Sequence, residues 1–104
     1  MRPGENIHPG EILLEEFLRP YGLTPSGFAD RLGLPANRIT AIVNGERGIS
    51  PETAMLLAAA FGTTEQFWIN LQSHYDLEQA RGEISAERIA RAQALHREIE
   101  ATAA

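Results

Sequence analysis

The fold is decided by residues 24–45, which read TPSGFADRLGLPANRITAIVNG. Thr24 stands directly before Pro25, the pattern of a helix N-cap followed by a proline in the first turn. Gly33 and Gly45 each follow a short helical run, and glycine is the residue that most readily takes the left-handed conformation at a helix end. The stretch therefore predicts two short helices joined by a three-residue turn that begins at Gly33.

The sequence on either side carries further helix signals. Residues 9–22 open with Pro-Gly-Glu, hold apolar residues four apart and close with a proline and a glycine, and residues 50–62 open with Ser-Pro and end on a glycine. The run Thr63-Thr64-Glu65-Gln66 matches a capping box of the T-x-x-Q kind at the start of a fifth helix. A last helix is predicted from 85 to 101, with Ser85 as its cap. No segment alternates apolar and polar residues, so the predicted class is all-α.

The two central helices have the residue spacing of a helix-turn-helix unit. Ala29 lies where the two helix axes cross closely, Gly33 lies at the turn, and Ile39 points back from the second helix. Any tight corner between two helices needs a glycine and a small residue. An ordinary core hairpin is therefore the alternative interpretation of these residues.

The outward face of the second central helix is nearly uncharged. At about 100° per residue, Ile39, Ile42 and Val43 cluster on one side of the helix. The opposite side collects Asn37, Thr40, Ala41 and Asn44, with Ala36 and Arg38 on the borders. Asparagine pairs in two places with an adenine edge, threonine donates or accepts, and alanine contacts a thymine methyl. We therefore predict DNA base reading by Asn37, Thr40, Ala41 and Ala36; the alternative is a solvated helix face.

The charge distribution favours the same surface. The chain carries a net charge of -5, but residues 19–48 are net +2, whereas 1–18 are -3, 49–80 are -4 and 81–104 are neutral. All nine basic residues are arginines, whose planar guanidinium suits phosphate and guanine. The predicted phosphate contacts are Arg38, Asn44, Arg47 and Ser26, with the free amides at the start of the second helix.

Several motifs make the chain similar to a known family. They are Asn6-Ile7-His8-Pro9-Gly10-Glu11-Ile12-Leu13, Glu15-Glu16-Phe17-Leu18, Arg38-Ile39, Asn44-Gly45 with Arg47-Gly48-Ile49, Glu52-Thr53-Ala54, Phe61-Gly62-Thr63 and Phe67-Trp68-Ile69-Asn70-Leu71-Gln72. Over about residues 6 to 80 the chain resembles the HigA-type antitoxins of the Xre-like helix-turn-helix superfamily. The Phe-Trp-x-Asn-Leu-Gln run is the specific part of the resemblance.

The resemblance implies a fold, a function and two partners. The expected fold is a compact five-helix, lambda-repressor-like domain with an additional C-terminal helix, divided into an arm at 1–8, a DNA-binding domain at 9–80 and an extension at 81–104. The expected function is that of a homodimeric antitoxin that binds double-stranded operator DNA as an autorepressor and neutralises a RelE/HigB-like, mRNA-cleaving toxin. Members of the superfamily often begin helix two with a glutamine that braces a phosphate, where this chain has Pro25.

The composition gives no indication of catalysis, metal binding or membrane insertion. The chain has no cysteine, and His8, His74 and His96 lie in separate segments, so we expect no metal and no cofactor. It contains no Gly-rich phosphate loop and no catalytic triad, so we expect no enzymatic activity. No apolar run approaches the roughly 20 residues that span a bilayer, and we expect a cytoplasmic location.

Two groups of residues have two interpretations each. The aromatic residues Phe67, Trp68 and Tyr75 fit either a dimer interface or closure of the core. The stretch after residue 48 holds four acidic residues and no basic one as far as residue 80. This pattern fits a solvated face or, through Glu65 and Glu78, a surface that faces a basic toxin.

Two questions stay open at the level of the sequence. The last helix has a thin apolar stripe and would pack across a dimer, cover the toxin or fray. The alternatives to an antitoxin are a free-standing transcriptional regulator of the same fold without a toxin, and a protein-interaction module that has lost DNA binding. The acidic net charge is what favours the second alternative.

Overall fold

The computed structural model describes residues 4–103, and every regular element in that range is a helix. The elements are α1 (Pro9–Ile12, Leu13–Leu18 and Arg19–Tyr21 in succession), α2 (Pro25–Arg31), α3 (Ala36–Val43), α4 (Pro51–Phe61), α5 (Glu65–Glu83) and α6 (Ala86–Ala103). The all-α prediction is confirmed. Residues 1–3 of the predicted arm and Ala104 of the predicted extension lie outside the described range. Between residues 4 and 103, no helix is both long and apolar enough to cross a membrane.

Side-chain caps start three helices where the sequence predicts them. The hydroxyl oxygens of Thr24, Ser50 and Ser85 accept hydrogen bonds from the amides of Gly27, Thr53 and Arg88 at 3.1, 3.2 and 3.2 Å. Each bond satisfies an amide that has no partner inside its own helix. The starts of α2, α4 and α6 are therefore encoded locally.

The capping box predicted at Thr63-Thr64-Glu65-Gln66 is wrong by one residue. Thr64 caps α5, and its hydroxyl oxygen accepts a hydrogen bond from the Phe67 amide at 3.0 Å. Thr63 instead accepts a hydrogen bond from Nε1 of Trp68 at 2.7 Å. Because a buried indole N–H is costly without an acceptor, Thr63 serves the core rather than the helix end.

Much of α1 departs from the regular α-helix that its four-residue spacing predicts. The segment Leu13–Leu18 is π-helical, and the Arg19 amide bonds to the carbonyl of Leu14, five residues earlier. A π-turn is wider than an α-turn, so residues five apart come closer to one face. Leu13 and Leu18 are both fully buried as a result.

The core is centred on Trp68 of α5, whose side chain is fully buried. The rings of Phe17, Phe61 and Phe67 lie around the indole, with centroids 4.9, 6.4 and 5.0 Å away. Trp68 thus closes the core of its own chain, and Phe67 stays 37% exposed at the edge of the same cluster. This cluster joins α1, α4 and α5, and buried side chains of α2 and α3 pack in the same core.

Backbone contact holds α3 against α1. A Cβ atom on Gly10 would lie 1.8 Å from the carbonyl oxygen of Ile42, so only glycine fits between the two helices. His8 caps α1 at the same place, because its Nδ1 accepts a hydrogen bond from the Gly10 amide at 2.9 Å. The close approach fixes the direction in which α3 presents its outward face.

Helix α6 lies outside the core. It has no buried residue, and Ile89, Leu95 and Ile99 are 43%, 55% and 56% exposed. The molecule measures 58 × 28 × 22 Å with a radius of gyration of 18.4 Å. A compact chain of this length would have a radius of gyration of about 13 Å, so the elongation is large. The apolar stripe of α6 therefore faces solvent in a single chain.

Candidate nucleic-acid interface

Helices α2 and α3 form a tight corner. Gly33 has a φ of +72°, and the Leu34 amide bonds to the carbonyl of Ala29 at 2.9 Å, which closes the end of α2. Ala29 is fully buried where the two helices meet. The connection runs from residue 32 to residue 35, one residue longer than the predicted turn, because α2 ends at Arg31. Its geometry is that of a helix-turn-helix.

Helix α3 has one buried face and one outward face. Ile39 and Ile42 are fully buried against the core. The predicted base-reading residues all lie on the opposite side: Ala36 and Asn37 are exposed, and Thr40 and Ala41 are half-buried. Their spacing of three and four residues places Asn37, Thr40 and Ala41 side by side along about one helical turn. The structure therefore brings these four side chains onto one surface.

The hydroxyl of Thr40 has a defined hydrogen bond within α3. It donates to the carbonyl of Ala36 at 3.2 Å, and this bond leaves its oxygen lone pairs free. In this arrangement the side chain is an acceptor for an amino group such as that of adenine or cytosine, and its methyl group remains available for apolar contact.

The candidate phosphate contacts are spread around the outward face of α3. Asn44 is exposed at the C-terminal end of α3, and Arg47 is exposed in the loop that follows. Arg38 is half-buried on the border of the face. Ser26 is exposed at the start of α2. These four side chains surround the base-reading residues on more than one side.

The expectation of several free amides at the start of α2 needs correction. Pro25 has no N–H, the Gly27 amide bonds to the Thr24 hydroxyl at 3.1 Å, and the Phe28 amide bonds to the Thr24 carbonyl at 2.8 Å. Among the first amides of α2, that leaves the amide of Ser26. The proline and the cap use the other positions.

Two residues of the N-terminal segment, Asn6 and His8, contact the helices that surround it. His8 lies beneath Gly45, where a Cβ atom would be 3.9 Å from the imidazole Cγ, and its ring packs edge-on against Tyr75 at 4.8 Å. Burial lowers the pKa of His8, and the carboxylate of Asp76 acts in the opposite direction. Asn6 donates to the Tyr75 carbonyl at 3.0 Å and so attaches the N-terminal residues to α5.

The loop between α3 and α4 is attached to α5 as well. Oε1 of Gln72 accepts a hydrogen bond from the Ile49 amide at 2.7 Å. Asn6, His8 and Gln72 all lie in the motifs that carry the family resemblance, and that was the signal in the sequence that pointed to them.

The two acidic residues suggested for a toxin surface do not share a face. Glu65 is exposed in the first turn of α5, and Glu78 is half-buried and forms an ion pair with Arg81. They are thirteen positions apart on one helix, about 20 Å along its axis and about 140° apart around it.

Residues 4–103 contain no cluster of three or more potential metal ligands.

Comparison with known sequences identifies relatives across most of this region. A family model described as helix-turn-helix matches residues 14–68. The virulence-associated protein I of Dichelobacter nodosus is 47% identical over 74 residues, which are 71% of this chain and 68% of that protein. The transcriptional regulator YbaQ of Escherichia coli is 42% identical over 69 residues, 66% of this chain and 61% of that protein, so the chain spans less than two thirds of it. The antitoxin HigA-1 of Vibrio cholerae is 38% identical over 81 residues, 78% of this chain and 76% of that protein.

Solved structures with the same fold include complexes with DNA. The antitoxin HigA of Pseudomonas aeruginosa with the higBA promoter has a TM-score of 0.69 and 40% identity, covering 79% of this chain and 98% of that one. The antitoxin GraA in complex with its operator has a TM-score of 0.75 and 38% identity, covering 86% and 88%. A HigA-family addiction module antidote protein from Coxiella burnetii has a TM-score of 0.74 and 46% identity, covering 88% and 95%.

Proposed function

We infer the function of this chain from its family: it belongs to the helix-turn-helix family and, within it, to the HigA-type antitoxins of the Xre-like superfamily. It binds the operator DNA of its own operon, represses transcription there and neutralises a toxin encoded beside it. The observation that carries the proposal is the outward, nearly uncharged face of α3, presented by a helix-turn-helix whose relatives include antitoxins in complex with promoter or operator DNA.

The outward face of α3 reads bases in the major groove. Asn37 is exposed and matches the paired donor and acceptor of an adenine edge, and Thr40 accepts from a base amino group. Ala36 and Ala41 are small enough to let the helix approach the base pairs and contact thymine methyl groups. No acidic side chain lies within α3, so nothing on the helix itself repels the DNA.

Phosphate contacts set the register of α3 on the duplex. Arg47 and Arg38 supply positive charge beside the groove, and Asn44 and Ser26 supply neutral donors at the two ends of the helix-turn-helix. Residues 19–48, which hold all four, are the net-basic stretch of an otherwise acidic chain. The local charge therefore offsets the unfavourable net charge of -5 where the DNA lies.

The chain acts as a homodimer on a palindromic operator. Two copies of α3 then enter successive major grooves about 34 Å apart, which is one turn of the duplex. The exposed apolar stripe of α6 supplies contacts between the two copies, because a helix with no buried residue in one chain has its apolar side chains available to another.

The toxin is a RelE/HigB-like, mRNA-cleaving enzyme, and both partners meet in the cytoplasm where the operator DNA lies. A basic toxin is attracted by the acidic stretch from residue 49 to residue 80. Glu65 and Glu78 are separate candidates for its contact surface, since they point to different sides of α5. The division of the chain at 8/9 and 80/81 stays a prediction.

Fluorescence anisotropy with the full chain and a labelled duplex from upstream of its own gene tests DNA binding, with a shuffled duplex as control. We expect tighter binding to the upstream duplex, on the order of a thousandfold at moderate salt. Equal binding to both duplexes would favour an interaction module that has lost DNA recognition. Co-expression with the neighbouring gene tests the toxin: co-purification and restored growth support an antitoxin, and their absence favours a free-standing regulator.

A further inference from the structure

We propose that Gln72 is a positioning residue for DNA binding: it fixes the loop between α3 and α4 so that Arg47 contacts a phosphate. The inference rests on the proposed binding of operator DNA and assigns a task to a residue that touches no DNA itself. It concerns the α3–α4 loop, defined here as residues 44–50, which follows the base-reading helix directly.

Both polar atoms of the Gln72 side-chain amide form hydrogen bonds. Its Oε1 accepts a hydrogen bond from the Ile49 amide at 2.7 Å, and its Nε2 donates to Oδ1 of Asp76 at 2.9 Å. Asp76 lies one turn further along α5, so it sets the orientation in which the oxygen of Gln72 faces the loop. A contact between residues 23 positions apart thereby joins the α3–α4 loop to the longest helix of the core.

Gly48 makes room for this contact. A Cβ atom at residue 48 would lie 3.0 Å from the side-chain amide of Gln72, closer than side chains normally approach. The next residue, Ile49, is only 4% exposed and anchors the chain in the core. The side-chain amide of Gln72 therefore packs directly on the backbone that follows Arg47.

The first part of the loop is held by α3, because the amides of Asn44, Gly45 and Glu46 bond to carbonyls of that helix at 2.9, 3.0 and 2.9 Å. The support from Gln72 acts on the part that follows, next to Arg47. Gly45 and Gly48 have more backbone freedom than other residues, and residues 44–48 are all exposed. A long arginine side chain on a loosely held loop loses conformational entropy when it contacts a phosphate. Fixing the loop before binding reduces that loss, so Gln72 strengthens the contact without making one.

The first test compares Gln72→Ala with Gln66→Ala in the full-length chain. Gln66 is the matched control, because its Nε2 donates to Oδ1 of Asn70 at 2.7 Å, a hydrogen bond between two side chains of the same helix. We expect Gln72→Ala to weaken binding to both the upstream and the shuffled duplex about fivefold, the effect of one hydrogen bond. It should also lower the slope of log K against log salt by up to about 1, as the loss of one phosphate contact would.

The second test separates positioning from general stability. In an Arg47→Ala background, Gln72→Ala should cause almost no further loss of affinity, because the contact through which it acts is already absent. A loss that persists undiminished in that background would overturn the proposal. So would Gln72→Ala binding like Gln66→Ala while the wild-type chain binds its upstream duplex. Failure of the wild-type chain to bind would overturn the proposed function and this inference together.

Gly48→Ala provides an independent variant if Gln72→Ala weakens the fold. The added Cβ would lie 3.0 Å from the Gln72 amide, which must shift by a few tenths of an ångström, so affinity and salt slope should fall in the same direction as in Gln72→Ala and by no more than in that variant. Combining the two substitutions should cost no more than Gln72→Ala alone, since the close contact disappears with the side chain. Additive losses in the double variant, with circular dichroism showing a folded chain, would contradict the proposed contact.

Discussion

Asn37 and Arg47 represent two kinds of DNA contact that single substitutions can separate. Asn37 is exposed on the outward face of α3, which we propose meets base edges, and Arg47 is exposed in the α3–α4 loop, which we propose meets the backbone of the duplex. Base contacts carry sequence preference, whereas phosphate contacts carry affinity that falls with salt. The two residues should therefore respond differently to a change of DNA sequence.

Asn37→Ala should cost on the order of 1 to 3 kcal/mol of binding free energy on the operator and relax the preference at one base position. Arg47→Ala should weaken binding to all sequences and reduce the salt slope by about 1. Anisotropy titrations on a set of single-base operator variants measure both effects, and each variant serves as the other's control. Equal losses on operator and random DNA for Asn37→Ala would contradict base reading.

The partly buried imidazole of His8 should make the stability of the fold depend on pH. Burial holds the pKa of its imidazole below the ordinary value of 6.5, so the unfolded chain takes up a proton more readily than the folded chain. The stabilisation is present above pH 6.5 and is lost as the pH falls from there through the lowered pKa of the folded state. Protonation of Nδ1 also removes the acceptor for the Gly10 amide.

His8→Asn removes this titration and keeps a side-chain oxygen that caps α1. Thermal unfolding at about pH 7.5 and about pH 5.5 should show a larger drop in Tm for the wild-type chain than for the variant. His96→Asn is the control, because His96 is exposed and pairs with Glu100 within α6. An equal drop in all three proteins would mean that other groups determine the pH dependence.

At the scale of elements, the contact between α1 and α3 is the one that a single methyl group should break. Gly10→Ala places a Cβ atom 1.8 Å from the Ile42 carbonyl oxygen, and neither backbone has room to yield without moving a helix. We expect a loss of at least about 2 kcal/mol in the free energy of unfolding, measured by urea denaturation, and weaker operator binding.

Gly82→Ala is the matched control for this substitution. Gly82 lies inside α5 with nothing within 4 Å of a Cβ atom, so alanine should stabilise the helix by about 0.5 to 1 kcal/mol. If Gly10→Ala were as stable as Gly82→Ala, the close packing of α1 on α3 would be wrong.

Helix starts were predictable from the sequence because their signals are local. Thr24 and Ser50 cap the helices that they were expected to cap, since the donor and acceptor lie three residues apart. The cap of α5 was misplaced because the buried indole of Trp68 takes Thr63 as its acceptor, and the π-turn of α1 was missed because it depends on burying both Leu13 and Leu18. Tertiary packing decides these features, and no local pattern records it.

The same distinction holds for the candidate site. A helical wheel is enough to place Asn37, Thr40 and Ala41 on one face of α3, because the rotation per residue is fixed. The support from Gln72 to the α3–α4 loop joins residues 23 positions apart, and the sequence alone does not specify which side chains meet at that distance. The surface was therefore predictable, and the contacts that hold it were not.

At the scale of the whole molecule, substitutions in α6 test the proposed dimer. Its exposed apolar side chains contribute nothing to the core of one chain, so substitutions there should change association without unfolding the protein. Leu95→Asp with Ile99→Asp places two charges in the stripe. Ala90→Asp with Ala94→Asp places the same charges on the other side of the helix.

We expect the substitutions in the stripe to raise the dimer dissociation constant at least tenfold, a change of about 1.4 kcal/mol, and the control pair to leave it unchanged. Sedimentation velocity over a concentration series measures both. Operator affinity should fall when dimerisation is weakened, because each half-site of the operator then binds a single chain independently. A stripe variant that remained as dimeric as the control would show that the two copies meet elsewhere.

Recognition of the operator depends on α3 entering the groove of the DNA with its outward face. Backbone amide chemical shifts of the isotope-labelled chain, recorded by NMR with and without its upstream duplex, test it residue by residue. We expect the largest shifts in Ala36–Val43, in the α3–α4 loop and at Ser26, with only small shifts at the core-facing residues of α4. Large shifts confined to α5 or α6, with α3 unchanged by saturating duplex, would contradict it.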